Sequence, residues 1–295
     1  MTSAKKILVT GASGKLGTLV LKGLLKNQKN NIIATTRNPE NLSNLAKEGI
    51  EVRTADFNDP KNLANAFIGA DRLLLISTDA IGSRIEQHKN AIAAAKESGV
   101  KHIIYTSWPK PNTSVAVVAK EHLETENLIK ASGLSYTILR NLPYAENIFY
   151  SIPNAIAMGT LYGAAGSGKV AYVTKQDCAD AAVGALLSNN YTNTIVDITG
   201  PEAISHFELA KIISEVTGKN VNYVDLPEID FKNGLLKSGM PELWAEVFAK
   251  FDVSYKNLDT AVISDAVEEL SGHKPKSIRE FIKENKDALL ITPQH

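Results

Sequence analysis

What this 295-residue sequence lacks narrows its function quickly. It carries one cysteine, Cys178, so no disulfide framework can form within the chain and a reducing compartment suits it. Cys178 precedes an apolar helical stretch, where it reads as a small buried hydrophobe. Lys and Arg total 32, Asp and Glu total 32, and no basic tract breaks the mixture. The electrostatic footprint of a nucleic-acid binder is therefore missing. No apolar run reaches the roughly 20 residues that cross a bilayer, and the N-terminus enters a strand too soon for a signal peptide. The expectation is a soluble, cytoplasmic protein. The six histidines are scattered, and Glu121-His122, read as part of a polar helix face, has no second histidine at ligand spacing. No metal site is expected. The Gly-x-Ser-x-Gly elbow of serine hydrolases is absent as well.

What is there begins at Lys6. Ile7, Leu8 and Val9 form a short β-branched, apolar run that breaks at Gly11, and from Leu16 the apolar positions take helical spacing through Leu19, Val20 and Leu24. A strand that turns through glycines into a helix aims unpaired N–H groups and the positive end of the helix dipole at one point, which suits a phosphate. Gly11, Gly14 and Gly17 would serve the tight turn, the approach of a pyrophosphate and close helix–strand packing.

From there the chain alternates. Strands are predicted at 31–36, 50–54, 73–76, 102–106 and 136–140, with helices at 39–48, 60–68, 84–98 and 119–131 between them. Continuous β-branched runs separated by crossover helices predict an α/β fold with a doubly wound parallel sheet. After Arg140 the spacing loosens. Short strands at 170–174, 195–198 and 221–224 mix with helices at 178–187 and 207–217, and further helices fill most of 228–250 and 260–285. This predicts a nucleotide-binding domain over 1–150 and a smaller mixed α/β lobe over 151–295, interleaved with the first.

Open parallel sheets bind ligands beyond the carboxyl ends of their strands, so the strand tips nominate the site. The first tip offers Gly11, Ser13, Gly14, Lys15, Leu16 and Gly17. The second offers Arg37, where NAD-binding folds commonly place a carboxylate for the ribose hydroxyl. A guanidinium there favours the 2′-phosphate of NADP, with Lys15 as a second positive charge; the plain alternative is a solvated arginine. Asp56 and Phe57 could bracket an adenine, and Ser77 and Thr78 line the path towards a nicotinamide.

Gly11-Ala-Ser-Gly-Lys-Leu-Gly, Arg37-Asn-Pro, Ala55-Asp-Phe-Asn-Asp, Leu74-Leu-Ile-Ser and Gly99-Val-Lys-His-Ile-Ile-Tyr-Thr-Ser resemble the NmrA-like group of atypical short-chain dehydrogenase/reductases. Leu139-Arg-Asn-Leu-Pro-Tyr-Ala-Glu-Asn and Gly163-Ala-Ala-Gly-Ser-Gly-Lys extend the resemblance over almost the whole chain, towards the group's NADPH-dependent quinone reductases and triphenylmethane dye reductases. The resemblance implies a hydride-transferring oxidoreductase that uses NADP(H). It implies Ser107 and Lys120 as the serine and lysine of a short-chain dehydrogenase site, but Ala116 stands where the tyrosine acid belongs. An alkoxide needs such an acid, whereas the phenolate from a quinone takes its proton from water and a cationic dye needs none. Asn141 would meet a carboxamide or a quinone oxygen, while Trp108, Tyr144 and Phe149 would wall an aromatic acceptor. Lys175 stands near an arginine of relatives and is a candidate cofactor contact. A rival reading is a dinucleotide-binding redox sensor that acts through a protein partner; a nucleotide-sugar epimerase is a third, though such enzymes keep the tyrosine. Pairing of two copies as a homodimer is left open. Gly163 to Val170 nearly matches a phosphate-binding Walker loop, but Val170 replaces the metal-binding hydroxyl and strand-like residues follow.

Overall fold

The apolar runs are too short and too continuous for surface helices, and they form the centre of the molecule. In the computed structural model, which describes residues 5–27 and 31–291, the strands are β1 (Ile7–Val9), β2 (Ile32–Thr36), β3 (Glu51–Thr54), β4 (Arg72–Leu75), β5 (His102–Ser107), β6 (Ser135–Asn141), β7 (Thr160–Gly163), β8 (Lys169–Val170), β9 (Thr194–Ile198), β10 (Ile204–Ser205) and β11 (Asn222–Asp225). Seven make one parallel sheet in the order β3-β2-β1-β4-β5-β6-β9. Leu8, Ile33, Leu73 and Ile103 are fully buried on neighbouring strands, and each such side chain contributes about 1.5–3 kcal/mol of burial.

Helices α1 (Lys15–Asn27), α2 (Ser43–Lys47), α3 (Pro60–Phe67), α4 (Arg84–Glu97) and α5 (Ala119–Ala131) follow the first five strands. Helix α6 (Ile152–Met158) opens the second half, followed by α7 (Lys175–Leu187). One sheet face is covered by α1, α2 and α7, the other by α3, α4 and α5. The chain moves outward from β1 in both directions, so β1 and β4 flank the topological switch point where such sheets bind ligands.

A second core gathers α6, α8 (His206–Thr217), β7, β11 and the later helices α9 (Glu228–Lys237), α10 (Glu242–Lys256), α11 (Ala266–Ser271), α12 (Ile278–Glu284) and α13 (Lys286–Leu289), except that α9 adds no buried residue and α11 packs on α7. Residues 151–295 thus supply both parts: β9, α7 and α11 complete the first, the rest forms the lobe. The outer ends of the two expected domains, 1–4 and 292–295, lie outside the described residues.

The helices expected over most of 260–285 are α11 and α12, separated where Gly272 ends α11 in a left-handed conformation and Ser277 starts α12 with a capping box. Two expectations need correction. The strand expected over 170–174 is only Lys169–Val170, and Val173 forms a bridge with Tyr144 instead. Glu121 and His122 are not on a polar face but buried, Glu121 paired with Arg84 and His122 hydrogen-bonded to Tyr105 at 2.8 Å. Their partners come from α4 and β5, which no pattern within α5 announces.

Candidate active site

The glycine loop is shaped by backbone contact. Gly11 adopts φ +57°, a Cβ at Gly14 would come 3.2 Å from the Gly11 carbonyl, and one at Gly17 would overlap that carbonyl and Ala12. Side chains at Gly14 and Gly17 would press on the loop's own backbone at the start of α1, where the first N–H groups lack intrahelical acceptors. Among the described residues, no side-chain acceptor meets the N–H of Ser13, Lys15, Leu16 or Gly17. Ser13 and Lys15 are exposed, and Leu16 is buried beneath them.

Hydroxyls tie the neighbouring tips together. Thr10 Oγ1 donates to the Leu74 carbonyl at 3.1 Å and accepts from the Ile76 N–H at 3.1 Å, fixing β1 to β4 at the switch point. The Ser77 N–H donates to Thr106 Oγ1 at 2.8 Å, fixing β4 to β5. Ser13 and Thr36 share a 2.9 Å hydroxyl hydrogen bond beside Arg37, whose exposed guanidinium has no partner among the described residues. Asp56 accepts from the Asn58 N–H, and Phe57 is half-buried against the sheet. Thr78 Oγ1 is buried without a hydrogen bond.

Beyond β6 the polar groups converge again. Asn141 is 5% exposed and donates through Nδ2 to Tyr144 Oη at 3.1 Å, leaving Oδ1 buried and unpaired. Whichever way the amide is turned, one of its polar atoms lacks a protein partner. The Lys175 ammonium lies 5.3 Å from the Tyr144 ring centre, and its backbone N–H, at the start of α7, donates to the Glu146 carboxylate. Burial holds the Lys175 amine below its usual range, opposed by Glu146 and assisted by Lys15.

Other expected residues stand apart. Ser107 Oγ donates to Glu126 Oε1 at 2.7 Å, and Glu126 is also clasped by Arg140 through two bonds of 2.9 and 2.8 Å. Lys120 is exposed with no partner among the described residues. Ala116 is buried in a cluster with Trp108, Val118 and Ala119. Phe149 packs edge-on against Phe281 in the lobe core. Burial pushes the Cys178 thiol well up, away from a reactive thiolate.

The strand tips do not announce the lobe cavity. It has a volume of about 490 Å³, with Tyr150, Phe231, Met240, Phe248 and Phe251 in its walls. Tyr172, His206, Asp252 and Tyr255 add polar atoms to the lining. Phe251 stacks on Trp108 with 5.0 Å between centroids and 11° between planes, so the cavity adjoins the end of β5. Asn147 and Ile148, just past Tyr144, connect it to the end of β6.

This combination of sheet order and strand-tip chemistry has counterparts. The NmrA-like family model matches residues 3–282. The chain belongs to the NmrA-like family. Quinone oxidoreductase 2 of Escherichia coli is 38% identical over 94% of the chain and 97% of its own length. The crystal structure of the Escherichia coli NADPH-dependent quinone oxidoreductase in complex with NADPH aligns with a TM-score of 0.92 at 38% identity, over 94% of this chain and 99% of that one. Triphenylmethane reductase of Citrobacter sp., complexed with NADP(H), aligns at 0.88 and 36% identity, over 94% and 99% of the two chains. By that kinship this NmrA-like chain is an NAD(P)H-dependent oxidoreductase. Its own residues fit such a dinucleotide: N–H groups at the start of α1 with no side-chain acceptor among the described residues, an unpartnered Arg37 at the β2 tip, and the orphan polar atoms of Thr78 and Asn141. Among the described residues, no group of three or more His, Cys, Asp or Glu side chains could hold a metal, and no helix is long and apolar enough to cross a membrane.

Proposed function

We propose that the protein is an NADPH-dependent reductase that passes hydride to a quinone or a similarly flat, conjugated acceptor. The supporting observation is the junction of Trp108 with Phe251, which sets an aromatic-walled cavity against the strand tips. When bound, NADPH supplies the hydride. The N–H groups of Ser13, Lys15, Leu16 and Gly17 bind its pyrophosphate, with Lys15 and Lys175 offsetting the charge. Arg37 and Ser13 take the 2′-phosphate, Asp56 and Phe57 hold the adenosine, and Ser77 and Thr78 line the path beyond it. Lys120 is the ribose anchor. Ser107 is a positioning residue whose bond to Glu126 fixes the end of β5 against Arg140.

At the reacting end, Asn141 orients the carboxamide or an acceptor oxygen, and Trp108 and Tyr144 exclude water around the flat acceptor, while Phe149 packs on Phe281 in the lobe core. Ala116 provides no proton, so the site suits acceptors whose reduced form needs none from a side chain. The lone buried thiol Cys178 fits a cytoplasmic setting.

The test is oxidation of NADPH in the presence of quinones, azo dyes and triphenylmethane dyes. Turnover is expected, with kcat about 10- to 100-fold lower in Asn141→Ala and little change in NADPH affinity. Tight NADPH binding with no acceptor reduced would replace this reading with that of a redox sensor.

A further inference from the structure

The second glycine-rich loop, Gly163 to Gly168, gives three successive backbone N–H groups to acceptors of the protein itself. Ala164 donates to Asp252 Oδ2 at 2.6 Å, Ala165 to Tyr223 Oη at 3.1 Å, and Gly166 to Asp225 Oδ1 at 2.7 Å. The glycines are required by contact: a Cβ at Gly163 would come 2.7 Å from Asp252 Oδ2, and one at Gly168 would overlap the Tyr255 carbonyl. The loop is a clamp on α10 and β11 that fixes one oxygen of the Asp252 carboxyl.

Asp252 is 7% exposed and lines the lobe cavity, and its Oδ1 has no hydrogen-bond partner among the described residues. Among the described residues, no Lys, Arg or Glu and no other Asp joins it in the lining. His206 is held uncharged by burial, which lowers its pKa to about 4. Tyr172 and Tyr255 are held as neutral phenols for the same reason. One carboxyl is thus the only lining group that can carry charge near neutral pH, and it faces aromatic walls.

We propose that Asp252 selects the acceptor by charge: ionised, it pairs with a delocalised organic cation lying against the aromatic walls, and protonated, it offers its O–H to an oxygen of an uncharged acceptor. This rests on the reading that the lobe cavity receives the acceptor. Burial pushes the Asp252 carboxyl up to about 7, against the pull of the Ala164 N–H and with a small push from Asp225. The other titratable groups around it are Tyr223 of β11, Tyr172 after β8, His206 of α8 and Tyr255 of α10. None of these contributes a positive charge near neutral pH. A bound cation favours the ionised carboxyl, so cation affinity must rise as the pH passes through its pKa.

Equilibrium binding tests this without turnover. The ligands are a cationic triphenylmethane dye and its uncharged reduced form, titrated into the full-length protein at pH 6 and pH 8. The preference for the cation should rise about tenfold between the two, and Asp252→Asn should abolish that rise while NADPH binding reports that the variant is folded. A wild-type preference that ignores pH, or the same rise in Asp252→Asn, overturns the proposal. If the variant does not fold, the wild-type profile decides alone. A protein with the expected binding profile that never oxidises NADPH would sink the reductase reading and leave this one standing.

Discussion

The two glycine-rich loops are built alike and do opposite things. Each follows a strand, β1 or β7, and each needs glycine because backbone presses against it. After β1 the chain enters a 13-residue helix, so N–H groups remain without protein acceptors and face solvent with Lys15 and the β2 tip. After β7 no helix follows, and carboxylates from β11 and α10 take the N–H groups. A loop of this composition is an anion site only where the protein leaves its donors unused. A similar glycine-rich turn becomes a clamp when the protein supplies the acceptors itself.

Breaking the first loop should have the largest effect. Gly17→Ala forces a Cβ onto the Gly11 carbonyl, so NADPH binding, followed by nicotinamide fluorescence, should be lost and stability should fall by about 2–4 kcal/mol. Gly163→Ala, at the second loop, should keep NADPH binding and disturb dye binding. Equal loss of NADPH in both variants would erase the division of labour between them.

Next in size is the stability of Asp252→Asn. The carboxyl titrates near 7 in the folded protein against an ordinary value of 3.8, so the folded state holds the proton more tightly. Wild-type stability from this group therefore falls as the pH rises from about 4 to 7, by at most about 4 kcal/mol. The asparagine cannot ionise, so its advantage in thermal melting should grow over that window and level off above pH 7. A constant offset between pH 5 and pH 8 would contradict the raised pKa.

Arg37→Ala should come third. Removing a charge-assisted contact of about 1.5–3 kcal/mol should weaken NADPH about 10- to 100-fold and leave NADH nearly untouched, as read from the two dissociation constants. A variant that keeps its full preference for NADPH would refute the 2′-phosphate assignment.

The sequence patterns reveal one half of the molecule far better than the other. Strand tips follow in order along the chain, so apolar runs such as Leu73 to Ile76 and turns such as Gly11 to Gly17 mark the sheet and the cofactor side locally. The lobe cavity draws on α6, β7, α8, α9 and α10, whose meeting no local pattern encodes. One signal was present: Phe248, Asp252 and Tyr255 fall four and three residues apart, which puts a carboxylate into an apolar helical stripe. Its meaning depends on Ala164, 88 residues earlier in the chain. Glu121 and His122 misled for the same reason, since Arg84 and Tyr105 become their partners only once the chain has folded.

The most direct measurement of hydride transfer uses NADPH deuterated at the donating nicotinamide carbon, with a triphenylmethane dye as acceptor and mass spectrometry of the product. The label should appear on the central carbon of the reduced dye, at a rate that falls in Asn141→Ala. Reduced dye without the label, or NADPH recovered unchanged beside intact dye, would contradict the account.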